Sequence, residues 1–290
     1  MEIVIVGCGY VGLALGRLLV DRGHTVTGVR RSADGLATIE AAGLSPVEAD
    51  VTHLDEVEKL PGADVVVYTA SPTARGPAAA RRTYVDGVRT VVEGFGNRRE
   101  PPDRFIYTSS TGVYGDHDGA WVTETTPIDP LGERGRILAR AERAAQSAPM
   151  DWTVIRLAGL YGPDRYRIDR LLERPVTPGY RNLIHRDDAA GIIAHLIETD
   201  RCRNEQLLGV DAKPVPAPDL VAWLAEQLHV EPPPTISLAE RLDDPSLSPT
   251  ARHRIAADKR CCNEKLVRTG YEYDFPTFRE GYRPAIEARS

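Results

Sequence analysis

Short β-branched runs and helical stripes take turns along the first half of the chain. Residues 2–6 read as a strand that stops at Gly7, and residues 10–19 carry Val11, Leu15, Leu18 and Leu19 at helical spacing. A second strand pattern covers residues 24–29, a helix pattern 33–42, and a short third strand 46–49. Residues 64–69 are a nearly continuous apolar run, the pattern of a strand buried on both faces of a parallel sheet. A helix is predicted over 79–95, strands over 104–109 and 153–157, and between these strands a helix over 135–148 with Ile137, Leu138, Ala141 and Ala145 on one stripe. Strands alternating with helices predict βαβ units and a doubly wound parallel sheet, an α/β fold.

Past Gly159 the pattern loosens and proline becomes frequent, ending in Pro232-Pro233-Pro234. Asp187 and Asp188 read as the cap of a helix over 189–197, and another helix is predicted over 219–228. The expected division is a larger domain over residues 1–159 and a smaller lobe over 160–290, part of which returns to the sheet.

Composition narrows the function classes. The 290 residues are 42% hydrophobic, too apolar for a disordered chain, and the net charge of −6 gives no footprint for nucleic acid. The longest apolar run, 189–197, is broken by Gly191 and His195 and is too short to span a bilayer. The N-terminus has no basic stretch before its apolar run, so no signal peptide is expected and a cytoplasmic protein is. Four cysteines make no disulfide framework, and Cys261-Cys262 has neither a CxxC nor a histidine cluster beside it, so no metal is expected. Only four of the 36 basic residues are lysine; the arginines are interleaved with acids and read as compositional bias.

The sharpest chemical signal is Gly7-Cys8-Gly9-Tyr10-Val11-Gly12, a GxGxxG that follows a strand and opens a helix. Gly7 permits the tight turn, Gly9 lets backbone approach a pyrophosphate, and Gly12 lets the helix pack on the sheet. The helix N-terminus presents N–H groups and a positive dipole end to the phosphates. A Rossmann-type NAD(P) site is therefore expected. Where an NAD site usually has an acid at the end of the second strand, this chain has Arg30-Arg31-Ser32, which suits a 2′-phosphate and favours NADP(H) over NAD(H).

Further segments resemble the extended branch of the short-chain dehydrogenase/reductase superfamily, the NAD-dependent epimerase/dehydratase family. Asp50-Val51 resembles its turn beside the adenine, and Thr69-Ala70-Ser71 the end of the strand that passes under the cofactor ribose. Tyr84 stands where the family usually has asparagine. Residues 106–115, ending Val113-Tyr114-Gly115, resemble the active-site strand; Arg156 with Tyr161-Gly162-Pro163, and Ile184-His185-Arg186 with Asp188, resemble later family segments. The resemblance implies a Ser or Thr plus a Tyr-x-x-x-Lys pair as catalytic machinery, and substrate-side roles for Tyr84, Tyr114, Arg156, Tyr161, His185 and Arg186. Ser110 matches the hydroxyl position. Aligned on Glu142, however, Arg134 and Leu138 stand where the tyrosine and lysine belong, and no Tyr-x-x-x-Lys occurs in the chain. Arginine stays protonated and leucine cannot bias a pKa, so the chain resembles an atypical subgroup. Tyr114, His117, Tyr161 and His185 are the candidate replacement acids, each with a structural reading beside it. Two functions stay open: a redox enzyme acting on a small or nucleotide-linked hydroxyl or carbonyl compound, and a non-catalytic dinucleotide-binding sensor or assembly protein.

Overall fold

The computed structural model describes residues 1–289. Seven strands form the main sheet: β1 (Glu2–Val6), β2 (Thr25–Arg30), β3 (Ser45–Glu48), β4 (Val65–Tyr68), β5 (Arg104–Ser110), β6 (Asp151–Leu157) and β7 (Glu205–Gly209). Their spatial order is β7-β6-β5-β4-β1-β2-β3. The pairs β1–β2, β1–β4, β2–β3 and β4–β5 are parallel. The order reverses between β1 and β4, the switch point where open α/β sheets bind ligands beyond the carboxyl ends of their strands. All four residues of β4 are buried, as the unbroken apolar run demanded. The first helix, Tyr10–Asp21, buries Val11, Leu15 and Leu19 against the sheet.

By contacts the chain divides into two units. The first holds Met1–Ser110, Arg136–Arg156 and Ala189–Leu207; the second holds Thr111–Gly135, Leu157–Asp188 and Leu208–Ser290. In the second unit, Gly159–Tyr161 pairs with Leu183–His185, and Tyr180–Arg181 with Val215–Pro216. Its core gathers Tyr161, Ile168, Leu220, Leu224, Phe278 and Tyr282, with the helix Phe278–Glu287 supplying the last two.

Several elements depart from the sequence expectation. The helix predicted over 33–42 is only Leu36–Glu40, opened by the left-handed Gly35. The long helix over 79–95 is three pieces: Pro77–Arg81, a π-helical turn Arg82–Asp86, and Gly87–Gly96. Asp187 and Asp188 do not cap a helix from outside, because the helix is Arg186–Glu198 and both lie in its first turn. Asp188 instead accepts the Tyr271 hydroxyl and the Asp274 and Phe275 N–H groups, at 2.8, 2.9 and 3.0 Å. Strand β7 has no signature in the sequence, since Glu-Gln-Leu-Leu-Gly is too short and too mixed to carry a period.

Candidate functional site

The glycine turn is built as the sequence requires. Gly7 adopts φ +81°, and a Cβ there would lie 2.2 Å from the Ala70 Cα, so no side chain fits. The Gly7 and Cys8 N–H groups both donate to the Val29 carbonyl, tying the turn to β2. Gly12 sits under Thr69, whose Oγ1 would lie 2.7 Å from an added Cβ; that hydroxyl donates to the Gly7 carbonyl at 2.9 Å. Gly9 differs, because an added Cβ would meet nothing nearer than the Gly7 oxygen at 3.7 Å. No side chain caps the helix that follows. Open space over Gly9 beside an uncapped helix N-terminus is the cradle a pyrophosphate needs, so these residues fit a dinucleotide. Cys8 is packing: its thiol is buried under Gly28, and burial, opposed by Arg30, pushes its pKa up to about 11.

The exits of β2, β3 and β4 surround this turn. Arg30 lies against the Cα of Gly35, where a Cβ would be 2.0 Å from its guanidinium. Arg31 reaches across to donate to Thr73 Oγ1 at 2.7 Å. Ser32 and Ser71 are exposed, Thr69 and Ala70 half-buried. Past β3, Asp50 takes the Thr52 N–H and hydroxyl on one oxygen (3.1 and 2.7 Å) and Arg82 on the other (3.1 Å), with Val51 half-buried beside it. These hydrogen bonds and Arg82 hold its carboxyl below the usual range against the opposing effect of burial.

Strand β5 presents one hydroxyl at its end and hides another. Ser110 ends β5, partly exposed, at the carboxyl edge of the sheet. Ser109 points inward and donates to Glu142 at 2.6 Å. Glu142 also receives Arg156, at 2.8 Å from Nη2 and 3.1–3.2 Å from Nε. Both charged side chains are almost fully buried, at 5% and 2% exposure. Arg156 is thus corrected from a substrate-side candidate to half of an internal ion pair between β6 and the helix Glu133–Gln146. Leu138 is buried in the core, whereas Arg134 is exposed in the first turn of that helix. Tyr84 is also buried, inside the π turn.

In the second unit the remaining candidates are mostly interior. Tyr114 is fully buried and donates to the Thr123 carbonyl at 2.8 Å, while His117 lies 2.9 Å from the Tyr114 carbonyl. Tyr161 stacks on Tyr282, with 4.9 Å between centroids and 12° between planes, and burial raises its hydroxyl pKa. His185 is 1% exposed and accepts the Asp187 N–H on Nδ1 at 3.3 Å. Its Nε2, which then carries the proton, has no hydrogen-bond partner and sits among Tyr161, Tyr166 and Phe275. Burial, opposed by Asp187, pulls its pKa down to about 4, so the ring is neutral at pH 7. The Tyr161 hydroxyl, raised by burial, stays protonated near neutrality and is a weak acid there. Arg186 donates to Asp187 at 2.7 Å.

A cluster that the sequence reading missed lies in this unit. Burial, then Arg181, Arg170, Arg167 and Arg134, depress the ionisation of Arg254. Arg181 and Arg254 line a small cleft with Thr177, Tyr180 and Asp258. The Asp258 carboxylate accepts the Tyr180 N–H at 2.7 Å. The available signal was the arginine-dense stretch from Arg165 to Arg181, which composition alone explained away. Among the described residues no group of histidine, cysteine and carboxylate side chains could hold a metal ion, and no helix is long and apolar enough to cross a membrane.

A family model described as NAD(P)H-binding matches residues 7–200. Protein YeeZ of Escherichia coli K12 is 31% identical over 287 residues, covering 95% of this chain and 96% of YeeZ. The structure is similar to that of a provisionally named NAD-dependent epimerase/dehydratase from Methylobacillus flagellatus, with 30% identity, a TM-score of 0.80 and coverage of 99% and 98% of the two chains. The fold also matches a human epimerase family protein solved with NADPH, at 19% identity, a TM-score of 0.81 and 99% of each chain. The cradle at Gly7–Gly12 and these matches place the chain in the NAD(P)H-binding family of epimerase/dehydratase type.

Proposed function

We propose that the protein is an NADP(H)-dependent redox enzyme of the reductase, epimerase or dehydratase kind. Its substrate is a hydroxyl or carbonyl compound that carries phosphate, most simply a nucleotide-linked one. The observation that carries this reading is a set of guanidiniums packed side by side. Arg181, Arg170 and Arg167 act on Arg254 in the second unit, with the Asp258 carboxylate close to Arg181, and Arg30 stands beside the glycine turn. Like charges set side by side repel unless an anion joins them, and arginine suits phosphate by geometry as well as charge. The β2 arginines support a 2′-phosphate, and the second cluster supports an anion bound within its own unit.

Bound nicotinamide would supply the hydride chemistry. The chain's own contribution starts with the first-helix N–H groups and Gly9, which hold the pyrophosphate. Ser110 polarises a substrate oxygen from the edge of the sheet. With Arg134 and Leu138 in place of the tyrosine and lysine, proton transfer falls to another group or to solvent.

Titration with NADPH and NADH tests the cofactor half. The unmodified protein should bind NADPH at least tenfold more tightly, in line with a charge-assisted contact of about 1.5–3 kcal/mol, and Arg30→Ala with Arg31→Ala should erase the difference. Equal affinities in the unmodified protein would remove NADP from the assignment. The second reading, a non-catalytic NAD(P)-binding sensor, is favoured by Arg134 and Leu138, and tight NADPH binding without turnover on any phosphate-bearing substrate would support it.

A further inference from the structure

No described residue from 226 to 258 is buried. The stretch holds two helices, Leu238–Leu242 and Pro249–Ala256, and neither buries a single residue. They are braced by each other instead of by a core. Ser237 and Glu240 close a reciprocal cap on the first helix, and Ser248 caps the second. Arg252, on the second helix, donates to the Leu242, Asp244 and Leu247 carbonyls. Arg241 pairs with Asp244 at 2.8 Å. Local hydrogen bonds thus hold the shape of the pair, while little apolar burial holds its position. Segments of that kind open at small cost in free energy.

Both ends of the stretch are tied down. Val176 donates its N–H to the Pro234 carbonyl at 3.0 Å and accepts the Ile236 N–H at 2.9 Å. At the other end the Asp258 carbonyl accepts the His117 N–H at 2.8 Å, and its carboxylate accepts the Tyr180 N–H at 2.7 Å. Residues 237–257 are therefore a flap between two fixed points. The flap carries Arg254 and Ile255 to the cleft, opposite Thr177, Gly179 and Arg181. His253 rests on Gly132, where an added Cβ would lie 2.3 Å from its Nδ1. Arg254 meets the positive field of Arg181, Arg170, Arg167 and Arg134, and Asp258 is the acid that lines the cleft. Like charges push the flap outward, and a multiply charged anion between Arg254 and Arg181 reverses that force. We propose that residues 237–257 are an anion-closed lid: a diphosphate group bridging Arg254 on the flap and Arg181 on the cleft floor draws it shut, and repulsion among the arginines reopens it. The proposal rests on the anion reading of this cluster above.

Hydrogen exchange of the full chain, read by mass spectrometry, tests the lid. Peptides from 237–257 are followed with and without inorganic pyrophosphate or UDP, and sodium chloride of equal ionic strength serves as the control. Peptides from 217–227, in the core of the same unit, report on the fold. With the ligand at roughly ten times its dissociation constant, exchange across 237–257 should slow about tenfold in wild type. Arg254→Gln should lose this slowing, and without ligand it should exchange more slowly than wild type, because one of the repelling charges is gone. A merely structural arginine would give the opposite sign. Equal protection by pyrophosphate and UDP would assign closure to the diphosphate alone, and protection by UDP only would assign it to a nucleotide. Slowing that persists in Arg254→Gln, or that spreads equally to 217–227, would overturn the lid. So would binding heat that Arg254→Gln abolishes, measured by calorimetry, without any slowing in wild type; the anion reading would then stand. Absence of any binding heat sensitive to Arg254→Gln would refute the anion reading itself, a distinct result.

Discussion

Asp211 is the residue whose surroundings most constrain its chemistry. It is 2% exposed, and its Oδ2 has no hydrogen-bond partner. Burial, followed by the charges of Asp188 and Glu280, pushes its pKa up to about 8 against a hydrogen bond from the Lys213 backbone. Burial raises the pKa of Asp188 as well, but its three donors oppose that rise, so charge is better held there than on Asp211. The unfolded chain releases the Asp211 proton near pH 4, whereas the folded chain keeps it until about pH 8. This group's contribution to stability is therefore complete below about pH 4 and is lost as pH rises towards 8, at about 1.4 kcal/mol per unit. Asp211→Asn removes the titration. Urea melts of the two proteins should diverge steadily from pH 5 to pH 8, with Asn gaining on wild type. A constant difference across that range would show that Asp211 is ionised in the folded protein.

At the scale of elements, the glycine turn separates two kinds of requirement. Gly7 answers to the fold, since its φ is positive and the Ala70 backbone occupies the place of a Cβ. Gly9 answers to a ligand, because its φ is −108° and the protein leaves the space beside it open. Gly9→Val should therefore melt close to wild type yet lose dinucleotide affinity by about a hundredfold or more, as a branched side chain enters the pyrophosphate's place. Wild-type binding by a folded Gly9→Val protein would exclude the turn from the site. The Glu142–Arg156–Ser109 group makes the same separation in the opposite direction: it looks chemical and is structural. Two buried charges share two strong hydrogen bonds, and removing either would leave the other unpaired in the core.

For the whole molecule, the question is whether cofactor binding is coupled to turnover. Ser110, the hydroxyl proposed to polarise the substrate, stands at the carboxyl end of β5. Single-turnover oxidation of NADPH with a panel of nucleotide sugars and phosphorylated aldehydes should show hydride transfer. Ser110→Ala should slow it by roughly one to three powers of ten, the cost of one oriented donor in the transition state, while NADPH affinity stays within about twofold. A rate indifferent to Ser110→Ala would place the reaction elsewhere. A silent wild type that binds NADPH tightly would favour the sensor.

The α/β class and the dinucleotide-binding glycine turn were legible in the residues, because each depends on short-range rules. Alternation at two periods specifies which segments pair and which coil, and glycines at fixed offsets specify one turn. Tertiary structure alone decided which charged side chains face inward. Arg156 and Glu142 are 14 residues apart and meet because β6 and a helix pack together. Asp188 resembles a helix cap in sequence and became an anchor because Tyr271, Asp274 and Phe275 fold over it. The arginines near residue 254 look like dispersed bias until helices and a strand from separate stretches of the chain bring Arg134, Arg167, Arg170 and Arg181 near it. Whether a charge pairs, is buried or waits for an anion is a property of neighbours distant in sequence, and local pattern does not contain them.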